Sequence, residues 1–343
     1  MSHIKRGVSL YSLQDAYGRG GLGLEGCVEA VEKMGTEGIE ILSDQMIRGA
    51  ANASEETLAE WDRIMEAHPL ERAVNDIFIN SSLYKNRWLT LDEQVAALEA
   101  DLKLTHRLGI PLVRLVSRTD PAVIRRTLPL AEKLGVTMAV EVHAGMSFRH
   151  PMTAAWIKEM KAVDSPFVGL VVDFGIYCQR HPRVSSNYFK HLGVSEDVIS
   201  WIDDVFASGT DPSAAFQGDG SNEESFEQPI FPDELRKMFR HPLDEFYAMM
   251  STGYENTSLD TLDEYLPWIK SFHGKFWEMT DEGEEYSIDY SRIIERLKKL
   301  GFEGYICSEY EGQRFVVPGE EIRDIEQVSK HQDMLARYIN DGK

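Results

Sequence analysis

Three short segments place two ionisable side chains two residues apart at the end of an apolar run. They are Glu141 and His143 after Met138-Ala139-Val140, His273 and Lys275 within Ser271-Phe-His-Gly-Lys-Phe-Trp277, and Glu309 and Glu311 within Ser308-Glu-Tyr-Glu-Gly312. A fourth run, Val168-Gly-Leu-Val-Val, ends in Asp173. Residues two apart on a strand share a face, so each pair can serve one site. Ionised carboxylates at the ends of such runs are costly to bury, and three of them converging would repel one another. A divalent cation resolves both costs. Glu141, Asp173, His273 and Glu309 offer three oxygen ligands and one imidazole, a set suited to manganese first, then magnesium, and compatible with cobalt, zinc or iron. Taken singly, Asp173 also reads as a turn cap, Glu309 as the partner of a barrel Lys or Arg, and His273 as a satisfied core histidine.

His143 stands two residues beyond a proposed ligand, and an imidazole suits a general base or acid close to neutrality. The plainer reading is a histidine that only orients a ligand. Lys275 suits either a hydrogen bond to a sugar hydroxyl or ketone, or a pair with Glu311. Tyr11 and Gln45 near the first two strand ends, Asn75 and Asp76 on the third strand and Arg114 on the fourth are candidates to shape a substrate pocket.

The elements that must position these residues alternate in kind. Eight short runs rich in β-branched residues, Arg6 to Leu10, Gly38 to Leu42, Arg72 to Phe78, Leu112 to Leu115, Thr137 to His143, Val168 to Phe174, Ile269 to Phe276 and Gly304 to Tyr310, are separated by amphipathic stretches. Helices are expected over Gly26 to Met34, Ser54 to Ala67, Leu91 to Leu108, Pro121 to Leu134 and Asp289 to Leu300. Gly35, Gly109, Gly135 and Gly301 each follow a helical pattern and precede a strand, as left-handed C-caps do. Eight such units without a GxGxxG fingerprint predict a (β/α)8 TIM barrel over residues 1–343, a single domain, rather than a doubly wound dinucleotide-binding sheet. One connection is too long for a βα loop. Between strands 6 and 7, residues 178–265 form an insertion, with an acidic stretch at Gln217 to Glu227. It reads either as a helical decoration or as a substrate lid or subunit-docking segment.

Composition narrows the function classes. The 343 residues carry 57 acidic and 36 basic side chains, a net charge of −21, which argues against nucleic acid or an anionic membrane as partner. No stretch has the ~18 apolar residues of a membrane span, and Met1 to Arg6 runs into a strand without a signal-peptide pattern, so a cytoplasmic location is expected. Cys27, Cys178 and Cys307 form no CxxC pair and read as reduced thiols.

Glu on strand 5, Asp on strand 6, His on strand 7 and Glu on strand 8 resemble the xylose-isomerase-like barrels, the sugar phosphate isomerase/epimerase superfamily. Supporting marks are Gly-Val-Ser-Leu-Tyr-Ser at Gly7 to Ser12, the Gly38-Ile-Glu-Ile strand, and the stretch from Tyr290 to Gly304. Glu141-Val-His143, His273-Gly-Lys-Phe and Ser308-Glu-Tyr-Glu-Gly312 are most similar to the alpha subunit of bacterial C-glycoside deglycosidases. That resemblance implies a small beta subunit as partner in a hetero-oligomer and a 3-oxo-C-glycoside as substrate. A carbon-carbon glycosidic bond is not broken by protonating an exocyclic oxygen. With a ketone at sugar carbon 3, however, the carbon 2 proton becomes acidic, and an electrophilic cation at the ketone oxygen favours its removal. The resemblance then implies His143 as the base, Lys275 or a metal-bound water as the acid at the leaving carbon, and a flavonoid-type aglycone as product. The competing expectation is a metal-dependent ketose epimerase or sugar isomerase using the same four ligands.

Overall fold

The computed structural model describes residues 3–19, 21–78, 87–216 and 229–340. Eight strands, β1 (His3–Ser9), β2 (Gly38–Leu42), β3 (Glu71–Ile77), β4 (Leu112–Leu115), β5 (Thr137–Val142), β6 (Val168–Asp173), β7 (Ile269–Phe276) and β8 (Glu303–Tyr310), close into a barrel in chain order. Every neighbouring pair is parallel, and β8 returns to β1. The expected (β/α)8 architecture is therefore the observed one. β1 begins earlier than its apolar run because His3, Ile4 and Lys5 pair with Glu303, Gly304 and Tyr305, so backbone pairing extends it past the hydrophobic signal.

Around the barrel lie α1 (Gly23–Lys33), α2 (Glu55–Ala67), α3 (Leu91–Arg107), α4 (Val123–Leu134) and α5 (Pro151–Val163). The polypeptide between β6 and β7 adds α6 (Arg183–His191), α7 (Glu196–Ala207) and α8 (Asp244–Ser251), and α9 (Tyr290–Leu300) and α10 (Asp324–Asn340) follow. Local chemistry sets several of these boundaries. The Ser54 hydroxyl accepts the Thr57 amide at the start of α2, and Thr90 with Glu93 forms a reciprocal capping box at the start of α3. Gly35, Gly109, Gly135 and Gly301 all hold φ between +67° and +73°, the left-handed conformation that ends a helix at little steric cost. The Gln217 to Glu227 stretch lies outside the described residues. Among the described residues no helix is long and apolar enough to cross a membrane.

Inside the barrel two layers follow from the two-residue period of the strands. Val74, Leu112, Ala139, Val171 and Cys307 pack together as an apolar floor. Two residues further along the same faces stand Asp76, Arg114, Glu141, Asp173 and Glu309. The switch from apolar to charged occurs toward the C-terminal ends of the strands, where barrel enzymes carry their active sites.

Candidate functional site

Register brings the charged residues together. Asp173 on β6 pairs with His273 on β7, and Lys275 two residues on pairs with Glu309 on β8. The ligand atoms of Glu141, Asp173, His273 and Glu309 all lie within 4.8 Å of one another, and all four side chains are buried. The His273 Nδ1 stands 2.7 Å from Glu141 Oε1 and 3.1 Å from Glu309 Oε2. Its Nε2 faces the Glu40 carboxylate across the barrel, 3.1 Å from Oε1. Arg114 clasps Asp76 Oδ1 at 2.5 Å and Glu141 Oε2 at 2.7 Å. One carboxylate oxygen of Glu141 is thus held by arginine while the other faces the cluster.

Carboxylates outnumber cations here, and protonation reflects it. Burial pushes the Asp173 carboxyl up to about 6, against the opposing pull of Lys275. Burial would lower His273, but Glu309 and Glu40 outweigh it and raise the imidazole well above its ordinary value. Glu141 goes the other way: burial opposes ionisation, and Arg114 and His273 overcome it, lowering the carboxyl. Among the described residues, Asp173 Oδ2, Glu309 Oε2 and Glu40 Oε1 are buried without a hydrogen-bond partner. Lys275 Nζ lies 3.0 Å from the first and 2.8 Å from the second, at ion-pair distance but outside hydrogen-bond geometry. Convergent oxygens with unused lone pairs and one imidazole are the donor set a divalent cation takes, so this cluster is able to hold one.

Arg114 is fully enclosed with its two carboxylate partners. Removing one member of such a group leaves uncompensated buried charge. In metal-free protein, Arg114→Leu is expected to lower unfolding stability by about 3–5 kcal/mol, read from urea denaturation; a loss below about 1 kcal/mol would show that water reaches Asp76 and Glu141.

The other sequence candidates divide. His143, 38% exposed, lies at the mouth with Nε2 3.9 Å from Asp173 Oδ2. Its Nδ1 is 2.6 Å from the Ala144 carbonyl oxygen, which can only accept, so the neutral ring carries its proton on Nδ1 and offers a lone pair at Nε2. Lys275 is 2% exposed and ringed by Asp173, Glu309 and Glu311, the last at 3.0 Å. Burial would lower its pKa, but those three carboxylates raise it well above the usual lysine value, which suits anchoring rather than proton donation. The pairing with Glu311 is therefore present. The Tyr11 hydroxyl accepts from Arg314 at 2.9 Å, and Arg314 also lies 3.3 Å from Glu311, so this trio forms one side of the mouth. Asp173 also fulfils its plainer reading, since Oδ1 accepts the Gly175 amide at 2.6 Å.

Two candidates fall elsewhere. Asn75 points out of the barrel: its amide donates to Thr105 on α3, and its oxygen accepts from the Ser43 backbone, so it binds strand to helix instead of lining a pocket. Gln45 is exposed on the short helix Ser43–Met46 that follows β2. Arg114 is buried in the same layer as the cluster, where it clasps Asp76 and Glu141. The residue that sequence reasoning missed as a site member is Glu40, although a lone carboxylate inside the apolar Gly38-Ile-Glu-Ile strand was the available signal. A cavity of about 610 Å³ bordered by Gln179, Arg180, Asp203, Asn256, Tyr286 and Arg292 shares no lining residue with the cluster.

The closed parallel barrel with a buried Glu-Asp-His-Glu cluster on β5 to β8 is comparable with xylose-isomerase-like TIM barrels. The chain resembles those barrels in sequence as well: the family model described as Xylose isomerase-like TIM barrel matches residues 28–194. Among curated proteins it is 27% identical to a C-glycoside deglycosidase alpha subunit of Arthrobacter globiformis, over 90% of this chain and 84% of that one. It is 28% identical to a 3'-dehydrocarminate deglycosidase alpha subunit of a Microbacterium species, over 89% of this chain and 88% of that one. A solved sugar phosphate isomerase/epimerase from Parabacteroides distasonis superposes with a TM-score of 0.56 at 11% identity, covering 99% and 95% of the two chains, a likeness of fold.

Proposed function

We propose that this chain is the catalytic alpha subunit of a metal-dependent lyase that cleaves the carbon-carbon glycosidic bond of 3-oxo-C-glycosides. The observation that carries the reading is the buried four-residue cluster beside a histidine whose lone pair is free at Nε2, on a chain that aligns along about nine-tenths of its length with deglycosidase alpha subunits. That those relatives are alpha subunits also supports a second, beta subunit for this protein.

A divalent cation held by Glu141, Asp173, His273 and Glu309, manganese by first preference, would supply the electrophilic charge that acidifies the hydrogen beside the substrate ketone. His143 Nε2 takes the proton from sugar carbon 2. The C–H electron pair is held as the enolate of the carbon 3 ketone and then becomes the carbon 1–carbon 2 double bond as the bond to the aglycone breaks, and a proton taken up at the aglycone carbon balances the one lost. The Asp173 carboxylate near His143 favours the imidazolium that forms, and the exposed edge of the ring lets it return its proton to solvent. Lys275 orders Asp173, Glu309 and Glu311 so that none swings away from the cluster. Glu40, accepting a hydrogen bond from His273 Nε2–H, would fix the tautomer that leaves Nδ1 unprotonated toward the ligand position, as carboxylates behind metal-binding histidines do.

The deciding experiment co-expresses the chain with a candidate beta subunit and follows aglycone release from a 3-oxo-C-glucoside with manganese, using free ketoses as controls. Release that chelator abolishes supports the lyase. Interconversion of a free ketose by the chain alone, with no release, would replace it by an epimerase or isomerase. Glu40→Gln is expected to weaken metal affinity about 10–100-fold, measured by chelator competition; an unchanged affinity would show that Glu40 does not orient His273 for the metal.

A further inference from the structure

The turn that carries His143 is held from outside its own βα unit. His143 O accepts the Met146 amide at 2.9 Å, closing a tight turn in which Gly145 has φ +81°. The Gly145 amide donates to Glu255 Oε1 at 2.8 Å. Glu255 belongs to the long polypeptide between β6 and β7, 110 residues away. Its side chain is 1% exposed, its Oε2 accepts the Thr257 hydroxyl at 3.2 Å, and it also hydrogen-bonds the Ser147 side chain. The segment that presents it is itself anchored: Tyr254 packs edge-on against Trp277, Asn256 bridges Tyr177, and the Thr257 amide donates to Ile176 O at 2.8 Å. A Cβ at Gly145 would stand 3.7 Å from the Gly253 Cα, so turn and segment are in direct packing contact.

A buried carboxylate needs partners, and this one takes them from the turn after β5. We propose that Glu255 is a positioning residue for His143: it fixes the turn so that Nδ1 stays on the Ala144 carbonyl and Nε2 stays aimed at the cluster. The β6–β7 segment is then part of the catalytic apparatus, and a subunit docking on that segment has a direct route to the base. This inference rests on the reading of His143 as the base, yet its geometric part can be tested without turnover.

The test compares wild type, Glu255→Ala and Glu255→Gln, each loaded with magnesium, by NMR of the His143 ring nitrogens and by kinetics on the 3-oxo-C-glucoside. Wild type should show one tautomer with the proton on Nδ1. Glu255→Ala should show a mixture of tautomers and a kcat lower by about 10–100-fold, the penalty typical of roughly 1 Å of misplacement, with KM and metal affinity within about twofold of wild type. Glu255→Gln keeps an oxygen for the Gly145 amide and should restore both the tautomer and most of kcat. If the alanine variant does not fold, Glu255→Asp, which withdraws the carboxylate by one methylene, takes its place with the same expectation. An unchanged tautomer and kcat in a folded variant would overturn the proposal. A wild type that shows the single tautomer but no lyase activity would instead refute the functional reading and leave the positioning intact.

Discussion

Asp173→Asn protein is expected to bind its metal at least about 100-fold more weakly than wild type, and to release aglycone at least about 1000-fold more slowly. Even residues behind metal ligands change affinity by about 10–100-fold, so a ligand should exceed that range. Loss of several kcal/mol of electrophilic stabilisation corresponds to about three powers of ten in rate. The substitution is close to isosteric, and Oδ1 can still accept the Gly175 amide, so the turn after β6 survives. Stability should move in the opposite direction. Burial raises the Asp173 carboxyl to about 6 in the fold, above the ordinary aspartate value, so the folded state binds this proton more tightly than the unfolded chain does. Stability of the metal-free wild type therefore falls as pH rises through the interval between those two values. Asp173→Asn has no such proton to lose, so the metal-free variant should be more stable than metal-free wild type at pH 8 and lose the advantage near pH 4. Equilibrium dialysis and urea melts at both pH values read the two effects. A variant that loses metal and stability together at pH 8 would show that Asp173 supports the fold instead of loading it with buried charge.

The residues proposed for this site were readable because strand ends announce themselves. An ionisable side chain closing a run such as Val168-Gly-Leu-Val-Val has no apolar explanation, and the two-residue spacing of His273 with Lys275, or Glu309 with Glu311, predicts a shared face that the structure shows. The glycine caps were equally legible, since a helix-ending left-handed residue is a local requirement. The choice between Asn75 and Asp76 was not local. Both are buried, so burial does not tell inside from outside, and the pairing of β2 with β3 shifts register between Ile39 and Glu40. That irregularity moves Asn75 to the helix side and Asp76 to the interior, inverting the parity an unbroken ladder would give. Glu40 was hidden for another reason. Its partner His273 lies across the barrel and 233 residues along the chain, a contact that only closure of the sheet creates.

His143→Ala is expected to lower kcat by about 10²–10⁴-fold, the range general-base removal commonly costs, with metal affinity unchanged. The two readouts separate because the geometry separates them. His143 Nε2 stands 3.9 Å from the nearest carboxylate oxygen of the cluster, and the ring is more than one-third exposed, so its loss leaves the four proposed ligands and their buried partners in place. Only the proton acceptor goes. A substrate deuterated at sugar carbon 2 sharpens the test: wild type should show a primary isotope effect wherever proton removal limits the rate, and exchange of the carbon 2 hydrogen with solvent should disappear in the variant in step with aglycone release. Asparagine at the same position retains hydrogen bonding but not basicity, so it should match alanine in rate. A His143→Ala enzyme that keeps both exchange and release near wild type would move the base elsewhere around the mouth. Lys275 is a poor substitute, because three carboxylates hold its ammonium protonated, whereas a base must arrive without its proton. Tyr11 would be left as the group to examine, yet burial first, and Glu311 after it, push its hydroxyl up to about 12, so at neutral pH it too is protonated. The imidazole is thus the group at this mouth whose ordinary chemistry fits proton removal from carbon near neutrality.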